Sequence, residues 1–135
     1  MNNEKILFNW SDAWLMLAIS LANQRGPATL ETIIAAGDEI NFSIFNFEEL
    51  ASGLVRLSEA RFVAEKSGTF YPAENVRPYS EKYLSDGRST DKRLEDVREM
   101  LGAAAAPDDQ PCKNNLRYSG LTKEKYEEVI IRYKG

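Results

Sequence analysis

The sequence predicts a mainly α protein of the α+β kind: a three-helix core, a short two-stranded β-hairpin, then C-terminal helices. Three observations predict it. Residues 11–23 are apolar nearly all round at helical spacing, which suits a helix in the middle of a core. Leu50, Leu54 and Leu57 recur on one helical face directly after a strong start signal at Asn46. The stretch "RFVAEKSGTFYP" then reads as two short strands around a glycine-bearing turn.

Taken in order, Ser11 is expected to cap the first helix, which runs to about Asn23. Trp10 before the cap pairs with Leu15 as a hydrophobic staple. "QRGPA" breaks that helix. Thr29 starts a second, shorter helix with Leu30, Ile33 and Ile34 as its stripe and Gly37 as its stop. "DEINFSIF" is a connector whose apolar anchors are Ile40, Phe42, Ile44 and Phe45. Asn46 caps the third helix, Glu49 bonds back to it as a capping box, and Phe45 and Leu50 form a second staple. This helix ends near Ala60 or Arg61. The hairpin turns at Lys66-Ser67-Gly68 and its second strand ends at Pro72. Such short strands must lean on the helices.

Further on, Ser89 or Thr90 caps a helix over about 91–101 with Leu94, Val97, Met100 and Leu101 apolar. "GAAAAPDDQP" reads as a linker. Thr122 caps a last helix to about Tyr133, with Tyr126, Val129, Ile130 and Tyr133 on one face. The chain thus divides into a hairpin-bearing domain at 1–75, a helical extension at 76–102, a linker at 103–121 and a C-terminal helix at 122–135. Neither late helix is apolar enough to form its own domain, so each should pack on the first domain or on a second chain.

Composition removes several functions. The chain has no histidine and a single cysteine, Cys112, so the usual zinc sites, Ser-His and Cys-His dyads and an intrachain disulfide are excluded. A lone reduced thiol makes a cytoplasmic location the default expectation. The most apolar run, Ala13 to Ala22, is too short to span a bilayer, and Glu4 and Asp12 spoil a signal-peptide approach. No membrane association is expected. Net charge is −4. Residues 1–73 carry five Lys or Arg against nine Asp or Glu, and residues 74–135 carry twelve of each. The acidic excess therefore lies wholly in the first half, which gives no long-range attraction to nucleic acid.

Over residues 10–73 the order helix, helix, helix, hairpin resembles the winged helix-turn-helix superfamily, and the segment "FEELASGLVRLSEARFVAEKSGTFYP" carries the resemblance. The layout is similar to small bacterial regulators of the MarR and PadR kind, in which trailing helices often make a dimer. The resemblance implies a winged-helix fold, and a homodimer through the C-terminal helices. It also implies a third helix in the DNA major groove with a wing on the backbone. Carried onto this sequence, the groove-facing positions are Glu48, Glu49, Ser52, Arg56 and Glu59, with a net charge of −2. Ser52, Arg56 and Lys66 are the candidate DNA contacts. Glu48, Glu49 and Glu59 are the candidate partner surface.

Specific DNA binding rests on several cations at phosphates, and this face offers few. Glu48 and Glu49 read as helix capping on a solvated face, as an acidic partner surface, or as base contacts. Arg56 reads as a solvated or salt-bridged arginine, or as a partner or phosphate contact. The later basic residues (Lys82, Arg88, Lys92, Arg93, Arg98, Lys113, Arg117, Lys123 and Lys125) are interleaved with acids and read as a mixed, salt-bridged surface. There is no Gly-rich phosphate loop, metal-ligand spacing or nucleophile motif, so no enzyme, cofactor or metal is expected. Two functions stay open: a non-catalytic, DNA-binding transcription-regulator-like protein, and an acidic winged-helix module that binds a protein instead of DNA.

Overall fold

A computed structural model describes residues 8–103 and 121–135. The expected linker, with Cys112, Lys113 and Arg117, lies almost wholly outside the described residues. Three helices open the fold: α1 (Trp10–Arg25), α2 (Leu30–Asn41) and α3 (Phe47–Glu59). Strands β1 (Val63–Lys66) and β2 (Thr69–Pro72) follow, then a 3-10 turn at Glu74–Val76. Helices α4 (Arg77–Tyr83), α5 (Thr90–Ala103) and α6 (Lys123–Lys134) complete it. The mainly α class with a small antiparallel wing is therefore observed.

β1 and β2 pair antiparallel with Val63 opposite Pro72 and Lys66 opposite Thr69. Ala28, between α1 and α2, adds a single bridge to Phe70, whose N–H donates to the Ala28 carbonyl at 2.9 Å. Three helices followed by this sheet are compatible with a winged-helix layout.

The all-round apolar character of α1 is explained by its position. It packs against α2, α3, β2 and α5. Residues 12–22 of it are buried without interruption. One hydrophobic cluster runs from α1 through Leu54, Phe62 and Phe70 to Val97 and Met100 of α5, and to Val129 of α6. The stripes of both late helices therefore face the chain's own core.

Four local expectations are corrected. The cap of α1 is Asn9, with Asp12 completing a capping box, so Ser11 and Trp10 lie inside the helix. Gly37 does not stop α2, which continues to Asn41 and ends on Phe42 in a left-handed conformation. Gly37 is needed for close approach: a methyl there would overlap the Phe45 ring, which stacks on Trp14 at 3.9 Å. The Trp14 indole N–H also donates to the Gly37 carbonyl at 2.9 Å. Phe42 is no anchor, being 90% exposed, whereas Phe45 is fully buried. The wing turn has two central residues, Ser67 and Gly68, both with positive φ. That is the type I′ requirement, and it keeps Lys66 in the ladder. The α4 helix was not anticipated. It is seven residues long, begins with a proline in its first turn, and is held by buried Val76 and Tyr83.

Candidate functional site on the third helix and wing

The start of α3 is built by its cap. The Asn46 side chain accepts from the Glu49 N–H at 2.8 Å, and the Glu49 carboxylate accepts from the Asn46 N–H at 3.0 Å. One of the two glutamates at this helix start is thus committed to the backbone. Glu48 is exposed and complements the positive helix end. The Ser52 hydroxyl lies 3.4 Å from the Glu48 carboxylate, a weak contact.

Arg56 has a stronger commitment. Its Nε donates to Asp12 Oδ2 at 2.8 Å and its Nη2 to Asp12 Oδ1 at 2.9 Å. Asp12 is fully buried, while the Arg56 side chain is 30% exposed. The same Asp12 Oδ2 accepts from the Asn9 N–H, so one carboxylate caps α1 and fixes α3. Donating to the Asp12 carboxylate raises the Arg56 pKa further, and the guanidinium stays charged. Gly53 permits the contact: a Cβ there would stand 2.6 Å from Leu15 Cδ2 and 3.1 Å from Asp12 Oδ1. Sequence reasoning missed Asp12 as a partner. The signal was present, since Asn9 and Asp12 have capping-box spacing, which buries a carboxylate at the start of a core helix.

At the wing, the Glu65 carboxylate accepts from the Gly68 N–H at 2.8 Å, and the Thr69 hydroxyl donates to the Lys66 carbonyl. Lys66 is exposed beside the turn. Glu59, at the far end of α3, is half-buried. The structure thus turns Arg56 toward α1, leaves Ser52 beside exposed Glu48 on α3, and puts Lys66 on the hairpin.

A further neighbour is the last helix, expected to pack on the first domain or on a second chain. α6 packs on α2 and reaches the start of α3. The Tyr126 ring meets Phe47 edge-to-face at 5.8 Å, and its hydroxyl donates to the Phe45 carbonyl at 2.7 Å. Burial, then the Glu49 charge, pushes the Tyr126 phenol up. The Tyr133 hydroxyl donates to Asp38 Oδ2 at 2.9 Å, and that bond raises its pKa. Val129 is buried between them.

Three of the basic residues after the wing, Lys82, Arg88 and Lys92, lie against acids. Arg88 forms a bidentate pair with Asp96, with Lys82 nearby at 3.9 Å, and this arrangement lowers the Asp96 pKa. Lys92 lies 3.7 Å from Glu95. Among the described residues no cluster of three or more His, Cys, Asp or Glu could hold a metal ion, and no helix is long and apolar enough to cross a membrane. No protein-family model matches the chain, and neither a curated protein nor a solved structure matches it.

Proposed function

We propose that the chain is a non-catalytic winged-helix regulatory module that works by binding a protein partner, and that α3 does not read DNA. The observation that supports this reading is the Arg56–Asp12 pair. A DNA-reading helix needs its cations aimed at phosphates and base edges. Here the single arginine or lysine of α3 is turned toward α1 and held through Nε and Nη2 on one buried carboxylate. Swinging away from Asp12 toward DNA would leave that carboxylate buried and less well paired, which costs several kcal/mol. What α3 offers outward is Glu48, Ser52 and the edge of Glu49, a surface suited to a cationic or hydrogen-bonding protein face.

A salt titration tests it. Fluorescence anisotropy with a labelled random duplex pool at about 50 mM salt should show no saturable binding. Binding that weakens steeply with salt and is lost in Lys66→Glu would overturn the proposal and restore the DNA-regulator reading, with Lys66 and Ser52 as its contacts.

A further inference from the structure

α6 is lightly held for an element of a core. Of its residues only Val129 is buried, Tyr126, Ile130 and Tyr133 are half-buried, and Ile131 is 72% exposed. Its two tyrosines bond to the rim of the contact through their hydroxyls. It also fills its seat incompletely. A cleft of about 230 Å³ remains between α6, the start of α2 and the wing. Leu30, Phe70 and Val129 give this cleft an apolar floor. Glu31 and Glu65 line one side of it, and Lys125 and Arg132 of α6, which both also pair with Glu128 of that helix, line the other. Gaps of this kind forgo dispersion contacts that a better-fitting occupant would make.

We propose that the surface under α6 is a helix-docking groove, that α6 occupies it in cis, and that its partner in trans is an amphipathic helix. That helix would carry an aromatic–aliphatic–aromatic stripe at the spacing of Tyr126, Val129 and Tyr133, flanked by cations. The proposal rests on the reading of the chain as a protein-interaction module and names the class of partner. Helix-in-groove recognition uses anchors at i, i+3 and i+7, which is the pattern α6 presents. A tethered helix acts at an effective concentration of order millimolar, so modest packing suffices to seat it. A free helix that also fills the cleft displaces it.

The probe is a labelled synthetic peptide of residues 121–135, titrated with the full chain and followed by anisotropy. Wild-type chain should bind it weakly, because α6 already occupies the groove. Val129→Asp places a carboxylate against Leu30 and Phe70 and expels the chain's own α6. The peptide, which keeps Val129, should then bind at least about tenfold more tightly, as expected when the open fraction rises that much. Circular dichroism monitors the rest of the fold. If Val129→Asp loses helical signal beyond α6, the double variant Tyr126→Phe/Tyr133→Phe decides instead. It keeps the volume, removes both rim hydrogen bonds, and should tighten peptide binding about threefold. No gain over wild type in the deciding variant, or equal binding of a scrambled peptide, overturns the groove. Duplex binding would sink the module reading while leaving this result intact, so the two failures are distinguishable.

Discussion

Asp12 and Arg56 illustrate how one residue's role depends on a partner 44 positions away. The capping box gives the Asp12 carboxylate one N–H, and the guanidinium gives it two more donors. Arg56→Ala leaves the carboxylate buried with only its cap. Loss of a buried pair costs about 3–5 kcal/mol, and the partial exposure of Arg56 brings the expectation to about 2–3 kcal/mol in urea unfolding. A loss under about 0.5 kcal/mol would show the pair to be surface decoration. A second buried polar pair sets an alkaline limit. The Ser20 hydroxyl donates to the Met16 carbonyl, so the Tyr83 hydroxyl, 2.7 Å away, donates to Ser20. Burial pushes the Tyr83 phenol up from its usual value near 10 to about 12, against a smaller lowering by Ser20. Because the folded-state pKa is raised, this stabilisation is complete below about pH 10 and is lost as pH rises toward 12. Wild type should lose roughly 2 kcal/mol more than Tyr83→Phe between pH 10 and 12, measured by denaturant titration. Parallel pH curves for the two proteins would refute the assignment.

Among the elements, α2 shows where sequence signals ran out. A glycine in a helical pattern reads as a stop, and Gly37 has that pattern in the sequence. Its role is instead set by Phe45, eight residues on, whose ring lies flat against it and against Trp14. That approach is tertiary and leaves no local mark. Gly→Ala in a helix interior usually stabilises by about 1 kcal/mol. Gly37→Ala should instead destabilise by about 1–3 kcal/mol in thermal or urea melts, since the stacked ring cannot yield. A more stable variant would show that the α2–α3 connector repacks freely. By contrast, α3 and the wing were legible because their signals are local: an Asn-to-Glu capping box, leucines at helical spacing, and a glycine at the turn. The candidate site was half legible. The residue types on the α3 face were readable, but the engagement of Arg56 and the arrival of α6 depend on long-range packing. The short α4 offered neither a cap nor a stripe strong enough to read.

At the level of the whole molecule, the stripes of α5 and α6 are used within the chain, although the resemblance to dimeric regulators had them meeting a second copy. We expect a monomer by light scattering at micromolar concentration, and a concentration-dependent dimer would reassign one of these helices. The central place of α1 also bears on how the protein is made. The face of α1 that meets α5 stays open until residues near Leu101 have been synthesised. At roughly 5–20 residues per second, a nascent chain carries that uncovered apolar surface for about 4–16 s. A ribosome-bound intermediate ending near Leu84 therefore still lacks the α5 cover of α1, and stalling there would leave part of the most apolar segment of the chain open to aggregation.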